Sequence, residues 1–239
     1  MANHKPVLKK QHRDLTVAVN RRQEYGDDAF AAVTFPGEFR NVQHFYPICF
    51  RKNDDTGEVQ ALALFGFEQG ENLFIKDEKW DAPYIPLTIE IQPFLIGLDS
   101  ENKENGAIYI DLDSPRVNPK DGGARIFNED GSETEYLVNV RNRLEVIHQM
   151  NSSTKAFYEF LDKFDLIDPF VLEVGFADGT ERRLTGLYTL HEDRFRDLDS
   201  KVAAEMWELG YLMPCFMMLA SLASIANLVE RKNLQLLDS

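Results

Sequence analysis

At 239 residues, 44% of them apolar, the chain can bury one large core or two small ones. Its 26 Lys and Arg stand against 40 Asp and Glu, a net charge of −14. A surface of that sign repels phosphate backbones and anionic lipid, so nucleic-acid binding and peripheral membrane attachment are not expected, whereas a basic partner is easier to accommodate.

Residues 1–30 are polar, with one short apolar alternation at Leu15-Thr16-Val17-Ala18-Val19, and read as an N-terminal arm or edge strand. The stretch from Met1 to Asp14 has no apolar core and no small-residue cleavage site. It is not a secretory signal, and a cytoplasmic protein is expected. From Ala31 to about residue 130 the pattern is β: runs of Val, Ile, Phe and Tyr separated by turn clusters such as 53–57 and 68–70. Segments 45–51 and 58–67 pair as a hairpin. Segment 84–98 carries Pro86 and Pro93, which cannot donate to a ladder, so it belongs at a sheet edge or a bulge. Residues 99–106 and 113–123 read as polar loops around a short strand at 107–112.

The character changes near Gly131. Tyr136, Leu137, Val140, Leu144 and Ile147 are spaced for an amphipathic helix over 133–150. Asn151-Ser152-Ser153 breaks it and caps a second helix over 154–164, whose inner face is Phe157, Phe160, Leu161 and Phe164. Segment 170–190 is a hairpin around Ala177-Asp178-Gly179-Thr180. A helix over 198–209 ends at Gly210. The uncharged run 211–229 is long enough to cross a membrane, but Pro214 and the polar stripe Ser221, Ser224, Asn227 favour a buried central helix. The expected class is α+β: a β-rich N-terminal region with antiparallel strands, packed against C-terminal helices and a β-hairpin.

No motif for a nucleophile, phosphate or metal stands out, no cofactor is named by any motif, and no catalytic residue is assigned. Cys49 and Cys215 sit in apolar runs and read as small hydrophobes. Asp111 and Asp113 mark a strand end and turn, and His191-Glu192-Asp193 a helix entry. The densest feature is an aromatic and proline-rich block from Phe45 to Phe94. It has two readings, a packed β core or a recognition groove. In the second reading Trp80, Tyr84 and Phe94 are exposed groove walls, Glu71 and Asn72 supply polar contacts, and His12 and His44 flank the block.

The same block carries a resemblance. Tyr46-Pro47-Ile48-x-Phe50, Gly70-Glu71-Asn72-Leu73-Phe74, Trp80 with Tyr84-x-Pro86, and Pro93-Phe94 resemble the bacterial SapC family. Further matches are His12 after a short arm, Glu38-Phe39, Phe127 with Gly131, Gly186-Leu187-Tyr188 and Ser221-Leu222-x-x-Ile225-x-Asn227-Leu228. Relatives place an arginine before the Pro-Phe pair, whereas this chain has Ile89-Glu90-Ile91-Gln92. The resemblance implies one SapC-like domain over 31–239, β-rich to 130 and helical with a hairpin from 131. It implies a non-catalytic binding or accessory protein that recognises a protein or peptide, linked to amino-acid or peptide modification or to nutrient uptake. The alternative is an enzyme on amino acids or peptides, with His12, His44 and the aromatic block as its site.

Overall fold

The computed structural model describes residues 3–53, 55–97 and 107–237. The expected loop 99–106, and Asp54 of the expected turn, lie outside the described residues. The chain begins with β1 (His4–Pro6), α1 (Lys9–His12), β2 (Thr16–Val17), a 3-10 turn (Gln23–Tyr25), β3 (Ala31–Thr34) and α2 (Phe39–Val42). Then come β4 (Ile48–Lys52), β5 (Val59–Leu64), β6 (Ile75–Lys76), β7 (Lys79–Trp80), α3 (Leu87–Glu90), β8 (Phe94–Gly97), β9 (Ala107–Asp111) and β10 (Ala124–Arg125). The rest is α4 (Glu135–Lys163), β11 (Ile167–Gly175), β12 (Glu181–Leu190), α5 (Glu192–Arg196), α6 (Ser200–Glu208), α7 (Leu212–Ser221) and α8 (Ser224–Leu237). The class is α+β, with antiparallel sheets and the longer helices toward the C-terminus.

Two compact units interleave along the sequence. The first comprises Met1–Asp28, Ile75–Asp81 and Leu87–Gln149, the second Ala29–Phe74, Ala82–Pro86 and Met150–Ser239. The segment expected as an arm is grouped with the first unit as far as Asp28. β1 pairs antiparallel with β9, β2 pairs with β10, and Leu15 and Val17 enter the core. The alternation at 15–19 reflects one face turned inward.

In the first unit β1, β9 and β8 form a three-stranded sheet, with β8 at an edge, where Pro93 just before it costs no ladder bond. Phe94, Ile108, Ile110 and Phe127 pack with Leu137, Val140 and Leu144 from the first half of α4. This unit also buries charge. Arg116 is 1% exposed, and its guanidinium bonds the Asp27 carboxylate and donates to Ala18 O (3.1 Å) and Asn20 O (3.2 Å). Asp27 also accepts from Arg21 Nη1 (3.3 Å) and Arg22 N (2.8 Å). Burial, then the Arg116 charge, lower the Arg21 pKa. Two cations share one buried carboxylate, so removing it leaves both uncompensated.

The second unit is built on a five-stranded antiparallel sheet in the order β11-β12-β4-β5-β3. The expected hairpins are β4–β5, with Cys49 opposite Leu62, and β11–β12, with Gly179 at φ +82° in its turn. Pro169 sits in β11, the edge strand. Ile48, Cys49, Phe50 and Ala61 to Leu64 are buried on both sheet faces, which explains their unbroken apolar runs.

Two expected helices are one. α4 runs without a break because Ser153 and Thr154 donate their hydroxyls back to Met150 O at 3.0 and 2.8 Å instead of capping a new helix. The expected central helix is two segments, α7 and α8, with one face inward. Ser221 accepts from Ile48 N (2.9 Å) and Ser224 donates to Gln43 O (3.3 Å), so these two members of the polar stripe serve the interior, whereas Asn227 is exposed. By length and composition Leu212–Leu237 is the one span apolar enough to cross a membrane among the described residues, with 39% of its most apolar window buried.

Asp27→Ala is expected to lower the unfolding free energy by about 3–5 kcal/mol in urea titrations. Arg125→Ala, which removes an exposed pair with Asp14, should change it little.

Candidate functional site

The aromatic block is core. Tyr46, Phe50, Phe65 and Phe74 are buried, and the Tyr46 ring meets Phe65 edge-on at 5.3 Å and tilts against Phe74 at 4.7 Å. Beneath them runs a polar chain. Tyr46 Oη donates to Tyr84 O, and Tyr84 Oη donates to Glu38 Oε1 at 2.8 Å. Glu38 Oε2 accepts from Thr34 Oγ1 at 2.7 Å. Glu38 is only 2% exposed, and a carboxylate so desolvated needs these donors. The Glu-Phe, Tyr-Pro and Tyr-x-Pro motifs therefore converge on one buried network.

The Gly70–Phe74 motif is likewise architectural. Glu71 Oε2 accepts from Phe67 N at 2.7 Å, and Lys232 Nζ on α8 reaches Glu71 Oε1 at 2.6 Å. Asn72 Oδ1 accepts from Phe74 N at 3.0 Å. Arg231 lies over the Phe74 ring, 4.3 Å from its centroid, and donates to Leu73 O. A side chain at Gly66 would meet Glu71 O at 2.5 Å, so this close approach requires glycine. The polar atoms expected to face a ligand are engaged by the fold.

The expected groove residues fall in different units. Trp80, Phe94 and His12 belong to the first; Glu71, Asn72, Tyr84 and His44 belong to the second. Trp80, a packed residue in the core reading and exposed only in the groove reading, is 9% exposed and stands opposite Ile75 in the β6–β7 pair. Its packing is tertiary, and nothing in the adjacent residues announces it. Phe94 lies in the first unit's core, edge-on to Tyr136. His12 is buried and its Nδ1 accepts from Leu8 N at 3.0 Å, which satisfies an amide at the start of α1; burial lowers its pKa. His44 is exposed, with its ring edge-on to Phe45 at 4.6 Å. His191 caps α5 by accepting from Arg194 N. Asp111 Oδ1 accepts from Asp113 N at the strand end. Among the described residues no group of three or more His, Cys, Asp or Glu is arranged to hold a metal.

Two surface features were not foreseen. One is an open cleft of about 620 Å³ in the second unit, between the turn at 56–60, the end of β3 and the second half of α4. At its base Tyr158 Oη accepts from Ala61 N at 2.9 Å, and its rim carries Glu58, Glu159, Asp162 and Lys155. Only the apposition of hairpin and helix creates it, so it has no local sequence signal. The other is apolar. Trp207 is 74% exposed, and Leu209, Met213 and Phe216, within ten residues of it across the α6–α7 turn, are each about half exposed. Phe216 rests edge-on against Phe195 of α5 at 5.3 Å. Met213, Phe216 and Ala220 recur at i, i+3 and i+7 along one exposed face of α7. The signal for Trp207 was present: Met206 is the buried residue of α6, and its neighbour points about 100° away.

Burial pushes the Cys49 and Cys215 thiols up to about 12. Both are free and buried. Thiol reagents at pH 8 should label neither until denaturant is added; rapid labelling of the folded protein contradicts this. Because the unfolded thiols ionise near pH 9 and the folded ones do not, stability should also fall as the pH rises above 9. Lys232→Ala strips the buried Glu71 carboxylate of its cation and is expected to cost about 3 kcal/mol in the same denaturation assay.

A family model described as SapC matches residues 8–228 of the 239. No curated protein matches the chain, and no solved structure does.

Proposed function

The chain belongs to the SapC family, and from that premise we propose that it is a non-catalytic binding or accessory protein that recognises a protein or peptide partner. The supporting observation is Trp207, 74% exposed in a chain that buries its other tryptophan and the core of its aromatic block. Tryptophan is enriched among the residues that dominate binding energy, and the half-exposed Leu209, Met213 and Phe216 follow Trp207 closely in sequence. Recognition is assigned to the α6–α7 surface, not to the Phe45–Phe94 block, whose side chains already have internal partners. The systems implied by the family, amino-acid or peptide modification and nutrient uptake, are the first places to seek the partner.

A photoreactive residue at position 216 should crosslink the partner in cells. With the purified partner, Trp207→Ala should weaken binding by tenfold or more in calorimetry, the scale expected of a buried tryptophan anchor. Its circular dichroism should be unchanged, since this side chain makes little contact with its own fold. Equal affinity of wild type and variant overturns the assignment.

A further inference from the structure

The cleft of about 620 Å³ in the second unit opens on a strand edge that its neighbour leaves bare. β3 runs beside β5 only as far as Thr34 opposite Ala61. Pro36, which has no N–H, follows, and the chain turns away as Glu38 N donates to Phe35 O at 2.8 Å. Val59 and Gln60, the first residues of β5, are therefore paired on the β4 side alone. Backbone groups along an antiparallel strand alternate between its two neighbours. Leu64 N donates to Pro47 O, just before β4, and Phe65 N donates to Phe30 O, just before β3. By that alternation Ala61 and Val59 aim their N–H and C=O toward the β3 side. Ala61 N meets the Tyr158 hydroxyl there at 2.9 Å. Opposite Val59 no β3 residue stands, and Val59 lines the cleft.

Tyr158 brings a further donor to the same place. It is 7% exposed, its oxygen accepts from Ala61 N, and its own proton has no acceptor among the described residues. On the rim, Lys155 meets Glu159 at 3.7 Å, and Asp162 is met by Lys52 at 3.1 Å. Glu58 is exposed and has no ion-pair partner among the described residues.

From this arrangement we propose that the cleft binds an extended peptide segment of another protein, which adds as a short strand beside the start of β5 and sets a Lys or Arg near Glu58. An extended backbone offers a carbonyl and an amide to one side at every second residue, which is what the Val59 N–H and C=O require. A peptide carbonyl also supplies the acceptor that the buried Tyr158 proton lacks. A cleft of this size holds a few residues, not a folded domain. The Glu58 carboxylate favours a basic side chain, and the net charge of −14 disfavours a second copy of this chain. The site shares no residue with the α6–α7 surface and uses no aromatic side chain of the Phe45–Phe94 block, so it stands or falls independently of the docking reading.

The test uses the full chain and fluorescein-labelled, end-capped hexapeptides in which Val and Lys alternate. Two further versions are N-methylated, one at the odd positions and one at the even. Anisotropy reads affinity, and amide hydrogen exchange by NMR reads Val59. The parent peptide should bind and slow exchange at Val59. At least one N-methylated peptide should bind about tenfold more weakly, because strand pairing uses the amides of one edge. Glu in place of Lys in the peptide should abolish binding. Glu58→Gln should weaken the parent two- to fivefold, about the scale of an exposed charge contact, with circular dichroism unchanged. Tyr158→Phe should weaken it several-fold, and the peptide series keeps the test intact if that variant does not fold. The proposal is overturned if the parent does not bind at millimolar concentration, if it binds without slowing Val59 exchange, or if all three peptides bind equally. Displacement by free lysine at the same concentration overturns it in favour of a small-molecule site. A dimer in sedimentation with Val59 already protected overturns it in favour of a second copy.

Discussion

The second unit depends on one desolvated carboxylate. Glu38 sits beneath the aromatic block, and its oxygens accept hydroxyls from Thr34 at the end of β3 and from Tyr84 in the Tyr-x-Pro segment. Tyr84 in turn receives the Tyr46 hydroxyl on its carbonyl. The neighbouring Thr34, Glu38 and Tyr46 are thereby tied to the distant Tyr84 by donors that a buried anion needs. The rings above can then pack as core only in the arrangement that keeps those hydroxyls aimed inward. This explains why large aromatics, prolines and a glutamate recur together in this stretch without forming a reactive site.

A second tie closes the same unit from its C-terminal end. Lys232 and Arg231 on α8 reach back to Glu71, Leu73 and Phe74, so the Gly70–Phe74 turn and the last helix are held as a pair. Once both ties are counted, the family motifs of the first half are largely spent on structure. What the fold leaves exposed are large apolar side chains on the last helices, Trp207 on α6 and Met213 and Phe216 on α7.

Much of the fold was legible where local chemistry decides it. Asp178-Gly179 names its own turn, and the alternation of Leu15 and Val17 reads directly as an inward face. Elsewhere the deciding partner is remote. Ser153 and Thr154 can cap a helix or bond back within one, and the continuous helix selects the second. Trp80 has the same composition around it whether it is walled in or open. Nothing near β1 says that its partner is β9, a hundred residues on, so the interleaving of the two units was not readable. The stripe of Ser221 and Ser224 was visible as polar, and it proved to mark the inward face of its helices; the apolar face of Met213 and Phe216 is the one turned outward.

Hydroxyl-radical footprinting of the protein alone and with its crosslinked partner tests this division of labour most directly. Trp207, Met213 and Phe216 should oxidise readily in the free protein and be protected in the complex, while Tyr46, Phe74 and Trp80 stay unreactive in both. Protection confined to residues of the Phe45–Phe94 block, with Trp207 equally reactive before and after binding, would contradict it.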